Sequence, residues 1–214
     1  MSFGETLRRC STSSIFDALD EIGSARGGAL DDLRVFGARV RAAGPIETVS
    51  AEVALVRSYA VDDFSIGAQI RTTPAGSILL IDLLGERVSS WGALATRSAM
   101  RGGLEACVIR GGGRDIEEID RLDFLLAIQH VTPRTGKGRI RFLNRGAAVR
   151  WGRVDVAPGD WVVVDRTGAV VVPAEELKTV ARRALELEGI DAEFARSLER
   201  GEDFDGARRR LGHF

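Results

Sequence analysis

The 214-residue chain carries 30 Lys+Arg against 31 Asp+Glu, a formal net charge of -1, and 44% hydrophobic residues. That length suits one domain with a sizeable core. The charge balance leaves no basic field for nucleic acid, and no apolar run approaches the ~20 residues that a membrane span requires.

In chain order, the start MSFGETLRRCSTSS has no apolar h-region, so no signal peptide is expected. Cys10 and Cys107 read as free thiols of a reducing cytoplasm, not as a bridge. A helix is expected from residue 13 or 14 to about 22, capped by Thr12 or Ser13, with Ile15, Leu19 and Ile22 on its apolar face. Residues 23–33 read as a loop. The imperfect alternation over 35–43 and 47–56 predicts two strands with one covered face, and 62–70 reads as a short helix. A Pro-Ala-Gly turn at Pro74 precedes a buried strand over 77–82. Residues 91–100 form a helix stopped by Gly102-Gly103, and 106–109 a second buried strand. Gly111-Gly112-Gly113 reads as a turn leading to Arg114 and Asp115 at the start of a helix.

Beyond it, the apolar FLLAI run within 123–129 is either strand or helix, and 130–141 reads as a loop. Strands over 146–156 and 161–172 flank the Pro158-Gly159-Asp160 turn, and Arg166-Thr167-Gly168 marks a hairpin. Pro173 opens a final helix with Leu177, Val180, Ala181, Ala184 and Leu185 on one side, and Arg208-Arg209-Arg210 belongs to a solvated end. Residues 1–214 are thus expected to be a single domain, with 174–214 a helical appendage.

No CxxC, HExxH or histidine cluster speaks for zinc, and the triple glycine lacks the lysine of a phosphate loop. It is read instead as a place where backbone N–H groups approach an anion. The pattern strand, helix, strand, glycine turn, helix puts Arg114 and Asp115 at a strand end, where α/β sheets bind ligands. The fork of Arg114 matches a carboxylate, or it forms a structural ion pair. Asp115 is a hard oxygen ligand, or the cap of a helix with Glu118 at its third position. Arg110 is a second carboxylate anchor or an exposed strand-end charge.

Ala93, Arg114, Asp115 and Glu118 follow a pattern of an acidic or small residue, twenty intervening residues, Arg-Asp, two more, then Glu or Asp. Further landmarks are Ser13–Gly23, Gly44-Pro45 with Thr48-Val49, Thr132-Pro133, and Pro158-Gly159-Asp160 with Gly168 and Pro173. In these the chain resembles the class II pyruvate aldolases typified by 4-hydroxy-4-methyl-2-oxoglutarate aldolase. That family also contains the regulator of ribonuclease E activity A, which lacks aldolase chemistry. The resemblance implies an α/β swivelling β/β/α-type domain that assembles as a homotrimer or homohexamer. It implies metal-dependent cleavage of a 4-hydroxy-2-oxo acid to pyruvate and a carbonyl product, with oxaloacetate decarboxylation alongside. A ribonuclease-binding regulator and a lyase of a specialised pathway are the alternatives.

By the same resemblance, Asp115 holds Mg²⁺ or Mn²⁺, and Arg114 with the N–H groups of Leu94 and Ala95 after Gly92 holds the substrate carboxylate. Glu188, or else Glu186, reaches the metal shell of a neighbouring subunit; residues two apart point about 200° apart, so at most one serves. The chain departs from the aldolases at Ala93, where they carry an acid, and at Arg110, where they carry Asp or Asn.

Overall fold

The computed structural model describes residues 3–212, so the outermost two residues at each end of the expected 1–214 domain lie outside the described residues. Two helices lead, α1 (Phe3–Arg9) and α2 (Thr12–Ile22), followed by the short strands β1 (Gly28–Ala29) and β2 (Arg34–Phe36) and the long β3 (Arg41–Val53). A 3-10 turn and α3 (Ile66–Thr72) precede β4 (Ile78–Asp82), β5 (Ser89–Trp91), α4 (Ala93–Arg101), β6 (Ala106–Gly113) and α5 (Ile116–Ile119). Then come β7 (Leu125–Val131), β8 (Ile140–Arg145), β9 (Val149–Trp151), β10 (Val154–Val156), β11 (Trp161–Asp165), β12 (Gly168–Val172), α6 (Leu177–Glu199) and α7 (Phe204–Leu211).

Strand β3 joins two halves of one curled sheet of order β1-β12-β11-β3-β4-β6-β7-β2. Its residues 41–45 pair antiparallel with β11, and residues 46–50 pair parallel with β4. Gly44-Pro45 therefore lies inside a continuous strand, where the sheet turns from antiparallel to parallel. A Cβ on Gly44 would lie inside contact distance of the Gly76 carbonyl oxygen, so only glycine lets the two backbones approach here.

The pleat sorts apolar residues into three clusters. Ile46, Ile78, Leu80, Val108, Val162 and Val164 fill the inside of the curl under the β9–β10 hairpin. Leu79, Ile81, Cys107, Ile109 and Leu126, the alternate residues, pack under α3, α4 and α5. On the outer face of the antiparallel half, Ala43, Val163 and Val170 meet α1, α2 and α6. This alternation is what period 2 demands of strands covered on both faces. No helix among the described residues is long and apolar enough to cross a membrane.

Several expected elements differ. The FLLAI run is a strand, because it continues the parallel ladder beside β6. The expected loop over 130–141 ends in β8, an edge strand whose two arginines and asparagine hide its alternation. Residues 146–156 form a hairpin, since Gly152 takes a left-handed turn at φ 61°. The cap of α2 is Ser11, whose side chain accepts from the Ser14 N–H, and α1 was not foreseen because it buries little beyond Leu7. On α6, Leu187 is buried and Leu185 is exposed, because 177, 180, 184 and 187 keep the helical step while 185 turns a further ~100° away from 184. The arginine run is part of α7, where Arg210 bonds Glu202 and Ser197.

Asp165, buried at the end of β11, accepts from the Thr12 N–H at 2.9 Å, the Thr12 hydroxyl at 2.8 Å and the Thr167 N–H at 2.8 Å. Burial raises its pKa, but these donors and Arg41 outweigh it and hold the carboxyl below its ordinary value. Stability from this depression is present above the unfolded pKa and is lost as pH falls through the folded one. Asp165→Asn should therefore cost about 1–3 kcal/mol in urea unfolding at neutral pH. The gap to wild type should close below about pH 4, and an undiminished gap there would refute the charge-based account.

Candidate functional site

Strands β4, β5, β6 and β7 run parallel, and the carboxyl ends of β5 and β6 converge on the start of α4. The triple glycine is not a turn: β6 continues through it, pairing Gly112 with His130 and Gly113 with Val131. The Gly112 N–H donates to the Val88 carbonyl at 3.1 Å, and the Arg114 N–H that follows the glycines donates to the Trp91 carbonyl at 3.0 Å, so both serve strand pairing. A Cβ on Gly112 would stand 2.6 Å from the Val88 carbonyl, which explains the residue by close strand approach.

Asp115 then adopts a left-handed conformation, φ 60° and ψ 36°, uncommon for any residue but glycine. This overturns the capping expectation, because its side chain makes no bond to the α5 backbone. The carboxylate turns instead to α4, accepting from the Ala93 N–H at 3.2 Å through Oδ2. Gly92 makes room for it: a Cβ there would collide with Asp115 Oδ2 and press on the Arg114 stem. Asp115 Oδ1 has no partner among the described residues. Arg114 Nε lies 3.7 Å from Asp115 Oδ2, while the two terminal nitrogens of its fork have no partner among the described residues.

Gly92 precedes the first turn of α4 in extended conformation, and the N–H groups of Leu94 and Ala95 have no carbonyl to reach inside the helix. They open into a cleft of about 170 Å³ lined also by Phe64, Ser90, Trp91, Arg114, Asp115 and Lys137. On its far side, Arg114 and Asp115 border a broader hollow of about 970 Å³ that reaches Thr132 and Pro133. Two donors at a helix start, a cationic fork and a carboxylate thus meet at one wall, an arrangement suited to a small carboxylic acid.

Other expected site residues are engaged elsewhere. Arg110 binds Asp82 through both arms of its fork, at 2.6 and 2.7 Å, and donates to the Arg150 carbonyl at 2.7 Å. It is neither a free substrate anchor nor an exposed charge. Glu188 does not stand free on α6: it accepts from the Ser11 N–H at 2.5 Å and the Ser14 hydroxyl at 2.8 Å of its own chain. Burial raises its pKa, but these donors prevail and lower it overall. Glu186 pairs with Arg183 at 3.1 Å, and Glu118 with Arg97 at 2.8 Å. Ala93 is buried. Ser90 and Lys137 were not foreseen, because a lone serine and a loop lysine carry no pattern in the sequence.

Comparison with known proteins follows the same outline. The family model described as RraA-like, Aldolase/RraA, matches residues 12–171. Protein DlpA of Legionella pneumophila is 26% identical over 206 residues, covering 95% of this chain, which spans only 33% of that protein's length. A Deinococcus radiodurans protein named "Putative 4-hydroxy-4-methyl-2-oxoglutarate aldolase" is 30% identical over 153 residues, 67% of this chain and 84% of the relative. A crystal structure from Pseudomonas syringae pv. tomato shares the fold with a TM-score of 0.84, at 24% identity and 96% coverage of both chains.

The Arg110–Asp82 pair makes a clear prediction. Asp82 is buried, so Arg110→Met leaves an uncompensated charge and should cost about 3 kcal/mol in denaturant unfolding. A substrate anchor would give unchanged stability and a raised KM instead.

Proposed function

The chain belongs to the RraA-like (Aldolase/RraA) family, and from that premise we propose that it is a divalent-metal-dependent carbon–carbon lyase. Its substrate on this reading is a 4-hydroxy-2-oxo acid, cleaved to pyruvate and a carbonyl product, with oxaloacetate decarboxylation as a companion reaction. The observation that carries the reading is the turning of Asp115 away from its own helix to stand beside Arg114 at the α4 N-terminus.

The residues present fit a hard cation. Among the described residues no group of three or more His, Cys, Asp or Glu converges, which disfavours zinc. Mg²⁺ or Mn²⁺, however, is commonly held by one or two carboxylates with several waters. Asp115 offers a partly exposed carboxylate with an unengaged oxygen. A divalent ion held there supplies Lewis-acid polarisation of the 2-oxo group. The remaining work falls to the chain. The fork of Arg114 grips the substrate carboxylate bidentately, and the N–H groups of Leu94 and Ala95 orient it. Negative charge developing as C3–C4 breaks then faces Arg114 and the positive end of α4. Phe64 and Trp91 line the cleft and limit water there. Glu188, engaged with α2, has no part in this site within its own chain.

A homotrimer or homohexamer completes the reading. Leu94, 82% exposed at the cleft mouth, and Leu55, 83% exposed, are apolar surface that a neighbouring copy would cover. The buried free thiols Cys10 and Cys107 suit a reducing cytoplasm. Ala93 favours a second reading, a ligand-binding regulator of a ribonuclease, since a methyl group cannot transfer protons.

Pyruvate release from 4-hydroxy-2-oxo acids and from oxaloacetate, assayed with Mg²⁺ and with EDTA, tests the proposal. Activity should vanish with EDTA and in Asp115→Asn. Arg114→Lys, which keeps charge and loses the fork, should raise KM and lower kcat together. Ala93→Asp should raise the rate, as general acid–base help is worth ~10²–10⁴-fold. A wild type inert toward both substrates, and not awakened by Ala93→Asp, would leave the regulator reading in its place.

A further inference from the structure

Two contacts join α4 to the segment that opens α5, and they stand one helical turn apart on each side. In the first, the Ala93 N–H donates to Asp115 Oδ2 at 3.2 Å. In the second, Arg97 donates to Glu118 Oε1 twice, through Nε at 3.0 Å and through a terminal nitrogen at 2.8 Å. Arg97 follows Ala93 by four residues, so the two share a face of α4. The N–H groups of Glu118 and Ile119 donate to the Asp115 carbonyl at 3.2 and 3.1 Å, so Glu118 rides on the turn that Asp115 opens. Arg97, Arg114, Asp115 and Glu118 border the same hollow. Both partners of the bridge are about half exposed, so it contributes little to global stability. The turn it holds is slight, however: α5 has four residues and no side-chain cap, and Ile119 is its one buried residue.

We propose that Arg97 and Glu118 are positioning residues. Their bridge holds the α5 turn against α4 and so sets where the open oxygen of Asp115 and the fork of Arg114 stand, a role that rests on the metal-dependent lyase reading above. The Ala93 contact fixes the Asp115 carboxylate at one point only, and pivoting about that point would swing Oδ1 away from the cleft. A second contact one turn further along removes that freedom. Neither Arg97 nor Glu118 needs to touch ion or substrate for this. The precision matters, since a displacement of about 1 Å at a site can cost ~10²-fold in rate. Partners that orient a metal ligand commonly alter metal affinity or activity by ~10–100-fold. A pair acting only through its field would behave differently. Loss of the Arg97 charge would then favour a nearby cation, and loss of the Glu118 charge would disfavour it. Positioning requires that both losses act in the same direction.

Mn²⁺ affinity of the whole chain, followed by electron paramagnetic resonance, separates the two accounts. Arg97→Met and Glu118→Gln should each weaken Mn²⁺ binding by roughly 10-fold and lower kcat for oxaloacetate by a similar factor. Their Tm should move by less than about 3 °C, as expected for a half-exposed pair. The exchanged pair, Arg97→Glu with Glu118→Arg, should recover most of the affinity that either single change loses. Opposite effects of the two single variants on Mn²⁺ would show a field effect and overturn the positioning role. So would unchanged affinity, an exchanged pair no better than the single variants, or a large fall in Tm. In each of these cases the lyase reading stands, provided that the wild type binds Mn²⁺ and releases pyruvate. A wild type that binds no Mn²⁺ would overturn that reading and the positioning role with it.

Discussion

Every layer of this protein depends on the approach of two backbones where β3 passes from one half of the sheet to the other. At Gly44 the strand lies against the Gly76 carbonyl, too close for any side chain. On one side of that point β3 meets β11 antiparallel; on the other it meets β4 parallel. The parallel half needs crossover helices on its face, and α3, α4 and α5 supply them. The antiparallel half closes by a hairpin and leaves its outer face to α1, α2 and α6. The contact at Gly44 therefore fixes which half carries parallel strand ends, and only such ends lie beside the start of a helix that can hold an acid.

The site shows the same economy of space. Gly92 has no side chain, and the Asp115 carboxylate occupies the volume that one would fill. The left-handed backbone at Asp115 costs of order 1–3 kcal/mol, and the bond to Ala93 offsets part of it. One residue thus closes the helix start, stands beside the guanidinium of Arg114 and leaves an oxygen open to the cleft. A standard cap on α5 would have removed all three.

Much of this was legible from the residue order. The buried runs over 77–82 and 106–109 and the hairpin at Arg166-Thr167-Gly168 appear as strands β4, β6, β11 and β12. The family resemblance, drawn from spaced landmarks, is upheld by the matching model over residues 12–171. What escaped notice depended on tertiary contacts. Glycines at 111–113 look like a turn because local propensity records only their missing side chain, and the strands crowding them lie far off in sequence. The cap preference of Asp115 was real but attached to another helix. Arg110 looked exposed because Asp82, its partner, is 28 residues away and comes alongside only through strand register.

The bonds from Glu188 to Ser11 and Ser14 join positions 177 and 174 residues apart in the chain. Together with Asp165, 153 residues from Thr12, they fasten α2 from two directions. Such contacts carry a large loop-closure entropy and form late in folding. The parallel half, built from closer neighbours, is therefore expected to assemble first. During synthesis α2 remains without its second fastening until residue 188 has emerged. In that interval the layer of α2 over Val163 and Val170, which in the native state shares one apolar cluster with α6, stays open to wrong partners. The same order makes the outer helical layer the first to loosen under stress, while the parallel strands that present Arg114 and Asp115 still hold.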